Sequence, residues 1–325
     1  MAAPVRVAAQ KDYRLVFWNV ENLFDTHDDT TKNDDAFTPT GTNHWNSQRY
    51  RTKVQHLCQA LTALGERGDG RFDMPVVVGL AEVENARVLR ELCRGTGLRR
   101  FGYDFVHFDS PDARGIDNAL LYRKKAYRPF LCQAITMSDS SRGWLTRDLL
   151  LVEGTLTTGD TLMLLVCHLP SKRGGSNAER QRMYVAQRLR TVMDTLLAAH
   201  PTAATVVMGD FNSEPYELRG ILTPEGDSSY RNLMGGAPPG TGSYLFQGHW
   251  SWLDQMLVSR TLLPGDSVGC LELLQEQGQR FEADFLMTES PQHLDRAPRR
   301  TFQGWHYLGG YSDHLPIYID LQRRR

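Results

Sequence analysis

Eight short apolar runs, each handing over to polar residues, constrain this chain more than any other feature: residues 15–18, 76–80, 119–122, 149–152, 162–166, 205–208, 256–258 and 317–319. Runs of this length without helical spacing read as strands, several of them buried on both faces. Helical spacing appears between them. Val54, Leu57, Cys58, Leu61 and Leu64 share one face of a helix that stops at Gly65. Ser176 and Glu179 form a capping box ahead of Val185, Leu189, Val192, Met193, Leu196 and Leu197, and residues 86–93 form a shorter helix. Strands and helices alternate early, whereas strands dominate later. That order favours a single layered α/β domain in which two sheets pack face to face with helices outside. The Gly- and Pro-rich residues 235–242 read as a loop inside it.

Charge and cysteines narrow the classes. The 37 Lys and Arg against 38 Asp and Glu leave a net charge of -1, so any polyanion site must be local rather than a property of the whole surface. Cys58, Cys93, Cys132, Cys167 and Cys270 contain no CxxC pair, which argues against a zinc or disulfide framework. The apolar runs are far shorter than the roughly 18 residues of a membrane span. Residues 1–11 read as an N-terminal extension without a secretory apolar stretch; a processed secreted form and the compartment are left open. Arg323, Arg324 and Arg325 read as a basic tail, which places the domain at 12–322.

The polar residues that end the strands carry the chemistry. Trp18 hands over to Asn19 and Glu21, Ala81 to Glu82 and Glu84, and Cys167 to His168. Gly209 precedes Asp210 and Asn212, Leu253 precedes Asp254, and Asp313 and His314 stand before the last strand. A single Asp after a strand is ordinarily a turn former or a cap, and a single His beside a buried Cys is ordinarily a satisfied neighbour. The conjunction changes that weighing. Asp210 and Asn212, two apart on an extended chain, face one side, and glycine before them lets a ligand approach the backbone. Glu82 and Glu84 share a face in the same way if their strand continues. Carboxylates suit hard cations, and an imidazole suits proton transfer near neutrality. Asp254 is placed to orient that imidazole from a neighbouring strand.

These residues resemble the endonuclease/exonuclease/phosphatase superfamily over nearly the whole chain, from Trp18-Asn19 to residues 312–316. Asn19-Val20-Glu21-Asn22-Leu23-Phe24-Asp25, Tyr122-Arg123-Lys124, Thr146-Arg147-Asp148 and Leu308-Gly309-Gly310-Tyr311-Ser312-Asp313-His314 are similar to a bacterial branch of it. The resemblance implies a four-layer DNase I-like sandwich, with two mixed, mainly antiparallel sheets and a site at one rim. It implies Glu82 as principal metal ligand, helped by Asn19, Glu21 and Asp313, with Mg2+ expected and Mn2+ or Ca2+ as alternatives. It implies Asp210 and Asn212 as positioners of water and phosphate, His314 with Asp254 or Asp313 as base or phosphate stabiliser, and His168 at the phosphate or leaving group. Two departures touch the surroundings of the site: Ala81 stands where many members carry Gln, and Gln255 where an aromatic is common.

Arg147, Lys172, Arg173 and Asn118 are the candidate phosphate-binding residues, with Arg114 in the loop of Gly115. Arg180, Arg182, Arg188 and Arg190 read instead as a solvated helix face. Trp45, Tyr50, Trp144, Trp250, Trp252 and Trp305 are candidates for base stacking, against the general tendency of such rings to be buried. The expected activity is metal-dependent phosphodiester hydrolysis on nucleic acid, as an endonuclease, with no obligate protein partner. A phosphomonoesterase or a lipid or inositol phosphate phosphoesterase would use the same residues. An inactive binding protein of this fold is the reading from a different class.

Overall fold

Two parallel strand pairs, each bridged by a helix, set the frame of the computed structural model, which describes residues 12–266, 268–290 and 295–324. The expected extension at residues 1–11 lies outside the described residues. In the first unit β1 (Asp12–Leu23) leads through α1 (Ser47–Ala63) to β2 (Val77–Val83), with Leu15 opposite Val77 and Trp18 opposite Leu80. Then come α2 (Ala86–Arg94), β3 (Tyr103–His107) and β4 (Asp117–Arg123) of the same sheet. The chain crosses to a second sheet with β5 (Tyr127–Ile135), β6 (Leu149–Leu156) and β7 (Thr161–His168). There α3 (Gly175–Ala199) returns it to β8 (Ala204–Asp210), parallel to β7, and α4 (Pro215–Leu222) leads to β9 (Tyr230–Asn232). A hairpin of β10 (Tyr244–Phe246) and β11 (His249–Ser251) precedes β12 (Asp254–Ser259), which pairs with β8 and β9.

The remainder rejoins the first sheet through β13 (Leu271–Leu273) and β14 (Gln279–Arg280). Two hairpins follow, β15 (Met287–Ser290) with β16 (Asp295–Pro298) and β17 (Phe302–Gln303) with β18 (His306–Tyr307). Finally β19 (Ile317–Arg323) inserts between β13 and β1. The sheet orders are therefore β13-β19-β1-β2-β4-β3 and β5-β6-β7-β8-β12-β9.

Strand alternation builds four layers. Leu15 and Phe17 of β1 enter the core between the sheets, where Leu164, Met208, Met256 and Ile319 meet them; Val16 and Trp18 turn outward beneath α1. Leu164 and Val166 of β7 likewise point inward, while Leu165 and Cys167 face α3. Each fully buried aliphatic or aromatic side chain of this kind contributes about 1.5–3 kcal/mol. At Gly79 the two sheets come so close that a Cβ would lie 2.7 Å from the Met208 sulfur. This is the expected α/β sandwich, and each of the eight apolar runs coincides with a strand, Val76 alone lying just ahead of β2.

Three local expectations are corrected. The helix α3 does not start on a Ser176 capping box: Gly174, at φ 111°, is its N-cap, because the left-handed turn suits glycine and places Ser176 inside the helix. Arg182 is not on the solvated face but buried, donating to the Ser213 hydroxyl at 2.9 Å and ordering the chain just after Asn212. The basic tail is not loose, since Arg323 belongs to β19 and the Arg324 guanidinium donates to the carbonyls of Leu271, Thr261 and Leu263. Arg325 lies outside the described residues.

Candidate active site

The C-terminal ends of the two parallel pairs meet at one rim, where β1 and β2 deliver Asn19 and Glu82 and β7 and β8 deliver His168 and Asp210. Strand register does part of the alignment. Asp210 lies directly opposite His168 on one side and Asp254 on the other, so three adjacent strands set a row of polar groups across the second sheet. Among the described residues six non-glycine residues have left-handed backbones, and four of them are here: Glu21 (φ 51°), Asn22 (56°), Glu82 (64°) and Asn212 (48°). Such conformations cost of order 1–3 kcal/mol each and persist where the surroundings over-determine them.

This backbone geometry replaces the simple alternation expected from the sequence. Asn212 joins Asp210 through a turn, its amide N–H donating to Asp210 Oδ1 at 2.8 Å and its side chain to the Leu169 carbonyl at 3.0 Å. Glu84 does not share a face with Glu82, because the left-handed Glu82 breaks the alternation. Its carboxylate accepts the Asp25 N–H instead, and burial pushes its pKa up to about 8.

His314, from the loop before β19, completes the row. Its Nδ1 lies 2.7 Å from Asp254 Oδ2, and its Nε2 lies 3.9 Å from Asp210 Oδ2. The Ser243 hydroxyl also donates to Asp254 Oδ2, at 2.5 Å. His168 Nε2 approaches Asp210 Oδ2 at 3.6 Å, and the Asn19 amide donates to that same oxygen at 3.0 Å. The loop is tied to β1 by the Ser312 hydroxyl donating to the Asn19 carbonyl and the Trp18 indole donating to the His314 carbonyl.

Electrostatics separates the roles of the two imidazoles. Burial alone would lower the His314 pKa, but Asp254, Asp210 and Asp313 drive it well above the usual value, so the ring is cationic at neutral pH. Burial and the positive charges of Arg147, Arg114 and His314 drive His168 well below it, so that ring is neutral. Burial raises Asp210 to about 7, with His314 opposing and Asp254 reinforcing the shift. The Asp210, Asp254 and His314 donor atoms also lie close enough to hold a cation; the short Asp254–His314 hydrogen bond engages two of the three and disfavours that use.

On the other side of the rim lie oxygen donors. Glu82 Oε2 accepts the Asn22 N–H at 3.0 Å, and Oε1 lies 3.5 Å from the exposed Arg114 guanidinium. Asn19 Oδ1, which accepts the Glu21 N–H at 3.0 Å, and Asp313, paired with Arg300 at 2.9 Å, are an amide and a carboxylate oxygen of the kind that hard divalent cations take. Glu21 is engaged elsewhere. Its carboxylate accepts the N–H groups of Thr301 at 2.6 Å and Phe302 at 3.1 Å. Burial and Asp313 raise its pKa to about 7 against the opposing charge of Lys53.

Lys53 was not visible in the sequence as a site residue. It sits on the buried face of α1 and donates to the Thr301 hydroxyl and the Tyr311 carbonyl, both at 2.6 Å. Burial lowers its pKa to about 8, with Glu21, Asp313 and Glu82 opposing.

The four expected phosphate binders are spread out, and three of them are engaged. Arg147 is buried, paired with Asp112 at 2.9 Å and donating to the Leu169 carbonyl at 2.7 Å, so it braces the His168 turn. The Asn118 amide donates to the Asp148 carbonyl at 2.8 Å, Lys172 pairs with Glu217 at 2.8 Å, and Arg173 is exposed just ahead of α3. Of the aromatic candidates, Trp45, Tyr50 and Trp252 are core residues, Trp144 packs on Tyr184, and Trp250 lies under Arg280. Trp305 is 77% exposed. One ring beside His314 was missed by sequence reading: Tyr244 lies 4.6 Å from the His314 ring, and the 53% exposed Phe246 stacks on Tyr244 at 6.4 Å. Their period-2 spacing in a three-residue strand was the available signal.

Residues 14–323 match the model of the endonuclease/exonuclease/phosphatase family. The chain belongs to that family. No curated protein matches its sequence significantly. Solved structures share the fold: a Danio rerio TDP2 humanized by 14 mutations has a TM-score of 0.60 at 17% identity, covering 95% of this chain and 98% of its own. The catalytic domain of human nocturnin with bound sulfate has a TM-score of 0.57 at 16% identity, covering 98% and 96%. The mannosyl-6-phosphatase Bt3783 of Bacteroides thetaiotaomicron has a TM-score of 0.56 at 14% identity, covering 95% and 99%. The family assignment makes the chain a phosphoester hydrolase by class, with the DNase I-like fold.

Proposed function

We propose that this chain is a divalent-cation-dependent phosphodiesterase that cleaves nucleic acid, acting as an endonuclease. The observation that carries the hydrolytic part is the position of Asp210 between His168 and His314, with Asp254 behind His314. Glu82, Asn19 and Asp313 would hold the cation, which supplies Lewis-acid stabilisation of the phosphoryl oxygens.

The chain's own groups divide the remaining work. Asp210, with a pKa of about 7, accepts the proton of the attacking water, and Asn212 shares the turn that aims it. Cationic His314, held by Asp254, stabilises negative charge as it moves onto the phosphoryl oxygens. Neutral His168 offers a hydrogen bond at the opposite side of Asp210 without adding charge.

The nucleic-acid part rests on the ring pair Phe246 and Tyr244 beside His314, which offers a flat surface next to the reacting phosphate. Structures of this fold include a TDP2 complexed with single-strand DNA product and a sugar phosphatase, so the substrate is argued from the rim rather than from the fold. The test incubates the protein with Mg2+, Mn2+ or Ca2+ and a panel of plasmid, oligonucleotides, inositol phosphates and sphingomyelin. Metal-dependent nicking of plasmid, abolished by Asp210→Ala, is expected. Turnover confined to inositol phosphates or sphingomyelin would move the assignment to those substrates, and no cleavage of any ester would refute the hydrolase.

A further inference from the structure

We infer that Arg300 grips a non-bridging oxygen of the substrate phosphate, and that Glu21 and Lys53 serve to hold its backbone in place. The inference rests on the reading of the cleft as a phosphate-ester site. It begins from a gap: of the cations expected to do this work, Arg147 and Lys172 are paired with Asp112 and Glu217, and Arg173 lies exposed ahead of α3. On the β19 side of the cleft the guanidinium of Arg300 stands beside Asp313, with Nη2 2.9 Å from Asp313 Oδ2, one residue from His314. Its side chain is 29% exposed and also meets the Tyr244 side chain, whose ring lies against His314.

A guanidinium carries five donors in a planar fork suited to phosphate oxygens. Asp313 and Tyr244 take part of that fork and fix its plane, leaving donors for an anion in the cleft.

The backbone around Arg300 is pinned from several sides. Both Glu21 carboxylate oxygens accept the next two amides, Thr301 and Phe302, and Lys53 holds the Thr301 hydroxyl. From the other side the Gly310 N–H donates to the Arg300 carbonyl at 3.1 Å, and Leu308 N–H donates to the Thr301 carbonyl at 2.8 Å. A Cβ on Gly310 would lie 2.0 Å from the Arg299 carbonyl oxygen and 2.3 Å from that of Arg300, so only glycine permits this approach. Burying Glu21 and Lys53 carries a desolvation cost. What the two charges jointly secure is the segment that presents Arg300.

The experiment measures binding of inorganic phosphate by calorimetry in the presence of Mn2+, for wild type, Arg300→Ala, Arg300→Lys and Glu21→Gln, with Mn2+ affinity measured separately. Loss of a charge-assisted hydrogen bond predicts about 10- to 100-fold weaker phosphate binding for Arg300→Ala. Partial recovery is expected for Arg300→Lys, with Mn2+ affinity close to wild type, and Glu21→Gln should weaken phosphate less than Arg300→Ala. Unchanged phosphate binding in a folded Arg300→Ala, or tighter Mn2+ binding without a phosphate defect, would overturn the inference and leave Arg300 as a neutraliser of Asp313. Because the readout needs no turnover, a wild type that binds phosphate through Arg300 but cleaves nothing would refute the hydrolase reading while sustaining this one.

Discussion

Asp254 and His314, 60 residues apart in the chain, share a 2.7 Å hydrogen bond, and Asp210 faces the opposite nitrogen of the same ring. The imidazole therefore lies between a carboxylate that fixes its charge and one that titrates at about 7. Removing the first changes the second without touching it.

Replacing Asp254 with Asn should accordingly reduce kcat by roughly 10²- to 10⁴-fold, the range for loss of a positioned acid–base or charge-stabilising group. His314→Gln should fall in the same range. The double variant should be little worse than either single one, because the two residues act as a unit. Additive losses in steady-state kinetics would contradict that coupling.

The pH dependence follows from Asp210. As the proposed base it must be ionised, so the acid limb of kcat/KM should rise through about pH 7. Stability has the opposite sign. A carboxyl at about 7 in the folded state against 3.8 in its ordinary state binds its proton more tightly when folded, so its ionisation between those values destabilises the fold. Asp210→Asn should therefore raise the Tm at pH 8 while abolishing turnover, as thermal melts of the metal-free protein would reveal.

Lys53→Met should leave Glu21 buried beside Asp313 without a neighbouring positive charge and strip the Thr301 hydroxyl and Tyr311 carbonyl of their donor, costing about 1–3 kcal/mol. Adding Glu21→Gln should return part of that loss. Urea denaturation of the two single variants and the double would show a non-additive cycle; strict additivity would deny the pairing.

Phe246→Ala should raise KM for oligonucleotides by roughly 5- to 100-fold, corresponding to about 1–3 kcal/mol of base stacking. It should leave KM for a simple alkyl phosphate unchanged. A uniform effect on both substrates would mean that the ring supports the hairpin rather than the substrate.

Much of the architecture could be read from residue order because burial on both faces leaves an apolar signature in each central strand. The residues at strand ends were legible for the same reason: Asn19, Glu82, His168 and Asp210 stand where apolar runs stop, and the fold brings those ends together. Lys53 was hidden, since a lysine among helical apolar residues looks solvated until its buried partners, 248 and 258 positions away, are in place. Arg300 and Tyr244 were hidden because neither stands at the end of an apolar run: Arg300 lies in the link between β16 and β17, and Tyr244 in the short β10. Arg147 misled in the opposite direction: its motif is next to the site, but its charge is consumed by Asp112.

The last strand, β19, lies inside its sheet rather than at an edge, and the loop just before it carries Asp313 and His314 to Asn19 on the first strand. During synthesis, β1 lacks this neighbour and the cleft lacks its cationic imidazole until residues 312–323 emerge from the ribosome. Pairing across that sequence separation is intrinsically slow. A nascent chain or a fragment ending before Ser312 carries Glu82 and Asp210 without the imidazole proposed to stabilise phosphoryl charge, so on that reading hydrolytic competence arrives together with closure of the sheet.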